Sequence, residues 1–214
     1  MTETMTSTIV TTAAGLMLLT AVLQTWRRSS SASVRLLVVQ GLALAAMVAA
    51  LGLRRGSVEL VIVAALVGAV KAGILPWALG RTSTGKLDER DSSAKPATGL
   101  IGAAVLTIVA YTVSAPLRSL SGSSAVPAGI ALVLIGFWLL LTRHTAVSQL
   151  VGFVVLDNGI AMVAFLTSDG LPLTVELGAT LDVLLVVVIL RTLTTRMRAT
   201  HGGTSVDDLR ELKD

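Results

Sequence analysis

Residues 146–167 read AVSQLVGFVVLDNGIAMVAFLT, 22 positions with a single charge, Asp157. As a helix rising about 1.5 Å per residue, this stretch is about 33 Å long. That is enough to cross a hydrocarbon core of about 30 Å. Nothing in it alternates apolar and polar with the period of two that a half-buried strand needs. One such run also fits the core of a greasy soluble bundle, so the rest of the chain has to decide. Six further windows of the same kind occur, at Thr6–Trp26, Ser33–Leu53, Val58–Leu79, Thr98–Ala115, Val126–Leu141 and Leu173–Leu193. The expected fold is therefore all-α, a polytopic transmembrane helix bundle of about seven spans. Backbone groups in lipid must be satisfied within the segment, which selects helices over open strands.

Composition agrees. Of the 214 residues 53% are hydrophobic and 14% charged, against about 25% charged in ordinary soluble domains. Mean hydropathy is +0.82. A disordered chain would be polar, and a disulfide scaffold needs cysteines, of which there are none. Without thiolates, no iron–sulfur cluster or Cys-type zinc site is expected in this chain. The two histidines, His144 and His201, are read as a loop and a tail residue. No phosphate loop, G-x-S-x-G elbow or H-E-x-x-H pair is present.

The net charge of +4 is read as membrane topology, and no nucleic-acid partner is expected. With the N-terminus outside, 13 of the 17 Lys and Arg fall on the inner side, three fall outside and Lys71 lies within a span. This bias predicts an odd number of spans, with the N-terminus outside and the C-terminus cytoplasmic. The first run has no Lys or Arg ahead of it and no cleavage signature, so it is expected to be a retained span. Trp26, Trp77 and Trp138 are read as interfacial anchors near span ends. Two small-xxx-small rows in the third span, Ala64/Gly68/Ala72 and Ala65/Ala69/Gly73, are candidate packing faces. The organisation expected is a three-helix unit at 1–79, a polar cytoplasmic loop at 80–97, and a fourth span with its outer loop at 98–125. A second three-helix unit at 126–198 and a cytoplasmic tail at 199–214 follow. In the tail, Ser205 and Asp208 make a helix-capping signal.

Ionisable residues inside spans carry the functional signal, because a charge at mid-bilayer costs at least about 2.5–3.5 kcal/mol and must face protein or water. Lys71, Asp157 and Asp182 lie at comparable middle depths of their windows. Glu176 lies in the first turn or so of the last one. Gln40 and Asn158 are supporting polar residues. Glu59, beside Arg54 and Arg55, is read as a surface pair. The set has two readings, a structural ion pair that fixes helix packing and a proton relay. Desolvation disfavours charged forms, which lets buried acids and amines exchange protons near neutral pH.

Several segments resemble the hydrogenase-4 component E family, membrane subunits of formate-hydrogenlyase-type and related group 4 hydrogenases. They are GFVVLDNG at Gly152–Gly159, ELGATLD at Glu176–Asp182, and the tail THGGTSVDDLRELKD. TTAAGLMLLTAVL and VKAGILPWAL resemble the family's first span and its Lys–Pro segment. The last three spans are also similar to the K subunit of respiratory complex I. In that likeness Asp182 takes the acidic place on the third helix, while Val154 stands at the second-helix place and Asp157 lies almost one turn later.

The resemblance implies a non-catalytic subunit of a proton-translocating redox complex in a bacterial or archaeal cytoplasmic (inner) membrane. The expected partners are antiporter-like and other small membrane subunits, with a soluble hydrogenase or dehydrogenase arm. Iron–sulfur clusters and a nickel-iron site are expected only in those partners. A component of a multi-subunit cation/proton antiporter and a purely structural adaptor are the alternatives.

Overall fold

The structure, a computed structural model, describes residues 2–27, 30–77, 96–115 and 124–167. The described residues form helices and no strand. They are α1 (Glu3–Trp26), α2 (Ser30–Arg55), α3 (Val58–Val67, continued by a π-helical stretch, Gly68–Ile74), α4 (Pro96–Val113), α5 (Val126–Thr142) and α6 (Ala146–Thr167). Each falls on one of the apolar windows read from the sequence. Four of them are long and apolar enough to cross a membrane, at Glu3–Trp26, Ala32–Arg55, Val58–Trp77 and Val147–Thr167. The other two, Ala97–Val113 and Val126–Thr142, are shorter apolar helices. The seventh window, Leu173–Leu193, lies outside the described residues, as do the 199–214 tail and nearly all of the 80–97 loop.

Local chemistry sets the helix ends. Gly56, at φ 65°, turns the chain out of α2, and the Ser57 N–H donates back to the Gly52 carbonyl. That is a six-to-one helix stop, which needs a left-handed residue that glycine supplies without strain. The Ser57 hydroxyl then accepts from the Leu60 N–H and caps α3. Thr145 plays the same part for α6, its Oγ1 accepting from the Ser148 N–H. Immediately ahead of Pro76, which has no N–H and crowds the carbonyl four residues back, α3 widens into π turns. The Leu75 N–H reaches back five residues to the Val70 carbonyl.

The core of the bundle is mostly apolar, but the polar and charged side chains it holds are turned inward while apolar ones cover the outside, the arrangement that suits a hydrocarbon solvent. Thr20, Gln24, Gln40, Lys71, Arg143 and Asn158 are buried, while Leu53, Val58, Ile101 and Ile108 lie open. α2 is the hub of one side, packing on α1, α3 and α6, and α5 is the hub of the other, packing on α6, α4 and α1. The α5–α6 contact is the most extensive, and two glycines per helix, seven residues apart, make it close. A Cβ on Gly136 would strike the Leu156 backbone, and one on Gly159 would lie 2.7 Å from the Val133 nitrogen. Of the two small-residue rows in α3, only Ala64/Gly68/Ala72 faces protein, with Gly68 against Ala45 of α2. Ala65, Ala69 and Gly73 are exposed. Trp26 and Trp77 are exposed at helix ends, whereas Trp138 turns inward onto Gly102.

Candidate functional site

The π stretch of α3 carries Lys71, which is 3% exposed. Its Nζ donates to Asp157 Oδ2 on α6 at 2.5 Å, joining residues 86 apart in sequence. The broad neighbour of α3 is α2, so the four-carbon lysine stem spans from α3 past α2 to reach α6. Gly41 of α2 makes this approach feasible. A Cβ there would lie 2.7 Å from the Lys71 carbonyl carbon and 2.8 Å from the Ala72 nitrogen. The Asp157 side chain retains 17% exposure, so the pair is sealed on the lysine side and partly open on the carboxylate side.

Gln40, next to Gly41, is wholly buried and continues the polar layer. Its Oε1 accepts from Asn158 Nδ2 at 3.2 Å, and its Nε2 donates to the Met17 carbonyl of α1 at 3.2 Å. Thr20 Oγ1 donates to that same carbonyl at 2.8 Å. Lys71, Asp157, Asn158, Gln40 and the Met17 carbonyl therefore form one transverse layer through α3, α6, α2 and α1. Asn158 Oδ1 has no hydrogen-bond partner among the described residues. The layer holds one acid, one base and two neutral amides. The ammonium donates to the carboxylate, and the two amides continue the hydrogen-bonded layer beside the pair.

Lys71, Asp157, Gln40 and Asn158, four of the residues singled out from the sequence, are thus brought together. Glu176 and Asp182 lie outside the described residues. Glu59 is exposed in the first turn of α3, and His144 is exposed as well. Among the described residues no group of three His, Asp or Glu comes together to hold a metal.

Two features escape a reading of the sequence. Arg143, counted there only as a loop charge, is buried. Its Nη2 donates to the carbonyls of Gln24, Thr25 and Arg27 at 2.8, 3.2 and 2.9 Å. These are terminal carbonyls of α1, a helix with no basic residue of its own in its last turn. A guanidinium from 116 or more residues away supplies the positive charge that such an end favours. Gln24, the other feature, is 1% exposed, and both atoms of its amide lack partners among the described residues. Only its polarity inside an apolar run could have marked it.

Compared with known proteins, the chain is 44% identical over 215 residues to the "Uncharacterized protein Rv0085" of Mycobacterium tuberculosis, covering 97% of each chain. It is 25% identical over 213 residues to the "Hydrogenase-4 component E" of Escherichia coli K12 and of Shigella flexneri, covering 97% of this chain and 98% of theirs. No protein-family model and no solved structure matches it.

Proposed function

The chain belongs to one family with the Mycobacterium tuberculosis protein Rv0085, and from that membership, its distant homology to hydrogenase-4 component E and its buried ion pair, we propose a non-catalytic integral membrane subunit of a proton-translocating redox complex. The complex is of the group 4 hydrogenase or complex I type, in a bacterial or archaeal cytoplasmic membrane. In this reading the chain has seven spans, with the N-terminus outside and the C-terminus cytoplasmic. Its partners are antiporter-like and other small membrane subunits and a soluble hydrogenase or dehydrogenase arm. The iron–sulfur clusters and the nickel-iron site belong to those partners, since this chain has no cysteine ligand to offer.

The observation that carries the reading is the Lys71–Asp157 pair inside the bundle. Two apolar residues would hold α3 to α6 as well or better, because desolvation cancels much of a buried pair's attraction. Its presence among apolar helices fits a proton relay, with redox events in neighbouring subunits biasing where the proton sits. Glu176 and Asp182 extend the relay in this reading.

The test is proton pumping by the assembled complex in inverted vesicles, with Asp157→Asn and Asp182→Asn. Pumping is expected to fall while electron transfer continues. Unaltered pumping in an assembled, redox-active complex would overturn the reading. If mild-detergent purification instead brings down antiporter subunits and no redox arm, the chain serves an ion gradient.

A further inference from the structure

We propose that a file of water molecules leads from the Lys71–Asp157 layer along α1 to the end of the bundle where Arg143 sits, and that the pair exchanges protons with that side through it. The proton-carrying role rests on the reading above, whereas the existence of the file does not.

The buried face of α1 changes character at Met17. Towards the N-terminus the next buried residues are Ala14, Ala13 and Val10, with Thr6 buried only in the first turn of the helix. Towards the C-terminus they are Thr20, Gln24 and Thr25, with Ala21 among them. Met17, Thr20 and Gln24 are spaced by three and seven, which puts them on one helix face. Side chains on a helix lean towards its N-terminus, so the Gln24 amide lies over the turn of Thr20. Gln24 itself is about 10 Å along the axis from Met17.

The upper end of this face is already hydrogen-bonded into the layer, Asn158 to Gln40 and Gln40 to the Met17 carbonyl. The lower end is hydrogen-bonded too, with Arg143 donating to the Gln24 carbonyl. Between these ends stand the unpartnered polar atoms, Asn158 Oδ1 at the top and Gln24 Nε2 and Oε1 below. Buried polar atoms almost always have a partner, either protein or ordered water.

Thr20 donates its own proton to the Leu16 and Met17 carbonyls, which leaves its oxygen to accept from a neighbour. Beyond Gln24 lies a cavity of about 30 Å³ lined in part by Thr25, Thr142 and Arg143, where a water needs about 10–15 Å³. Thr98, exposed, borders the same cavity and opens it outwards. Amides and hydroxyls donate and accept hydrogen bonds without changing charge. They orient the waters, and the file ends at the layer that holds the Lys71–Asp157 pair.

Radical footprinting in water labelled with oxygen-18 tests the file in the full chain within its complex. Met17, Met47 and Met162 are each 0% exposed; Met17 stands on the α1 face that the file follows, whereas Met162 and Met47 stand about one and two turns past Asn158 and Gln40, on the side of the layer away from Arg143. Met17 is expected to gain labelled sulfoxide several-fold faster than Met47 and Met162. Gln24→Leu is expected to bring it down to their rate, and Gln24→Asn, which keeps an amide, to preserve most of the difference. Labelling of Met17 no faster than Met47 and Met162, or labelling indifferent to Gln24→Leu, would overturn the file. Met17 labelled above its controls in a complex whose pumping ignores Asp157→Asn would overturn the proton-path reading and leave the file standing.

Discussion

Replacing Asp157 by leucine strands a lysine that is 3% exposed. Removing one partner of a buried pair typically costs about 3–5 kcal/mol, because the other charge is left uncompensated. Lys71→Met strands the carboxylate instead, which is 17% exposed and so less completely buried than the ammonium. Its cost is expected at the lower end, about 3 kcal/mol.

If the two losses were independent they would sum to roughly 6–8 kcal/mol in the double variant. The geometry predicts otherwise. Lys71→Met with Asp157→Leu removes both charges and leaves apolar side chains, so the double variant is expected within about 1 kcal/mol of the parent or above it. The assay is unfolding of the purified chain in mixed micelles by titration with sodium dodecyl sulfate, followed by far-UV ellipticity. Single-variant losses that add within about 0.5 kcal/mol would refute the argument, because the two side chains would then not be interacting. Stability recovered in the double variant together with lost pumping would separate the pair's chemical role from its packing role.

Gly136→Ala places a methyl group against the Leu156 backbone and should cost about 1–3 kcal/mol or more in the same assay. Gly15→Ala, where nothing lies within 4 Å, should be neutral or should stabilise by up to about 1 kcal/mol. Arg143→Met removes the donors to the three carbonyls at the end of α1 and should cost about 1.5–3 kcal/mol. Arg143→Lys should recover only part of this, since an ammonium lacks the planar fork. Hydrogen exchange across the last turns of α1 reports both changes.

Much of the site was legible one residue at a time. A lysine or an aspartate in the middle of an apolar run must face protein or water, so Lys71 and Asp157 stand out, and their similar depths made pairing reasonable. The polar residues Gln40 and Asn158 were visible for the same reason. Arg143 was not, because a charge at the end of an apolar run reads as topology until another helix end is seen against it. Nor did the sequence single out Gln24 among the polar residues near the end of a span. The π turns around Lys71 had a local trace, two glycines and a following proline, but only backbone geometry turns that trace into a wider helix.

Run length and polarity by themselves determined that this chain makes long apolar helices and which few charges have to be held inside them, because hydrocarbon penalises every unpaired polar group whatever its neighbours are. Tertiary structure decided which partners those charges take. A helix has several faces, and its sequence does not say which one another helix will cover. Gly41 faces Lys71, while Gly73 faces outwards, although both are glycines in apolar helices. The difference lies in the packing of α2 against α3, which together with the packing of α2 against α6 brings Gln40, Asn158 and the ion pair to one level.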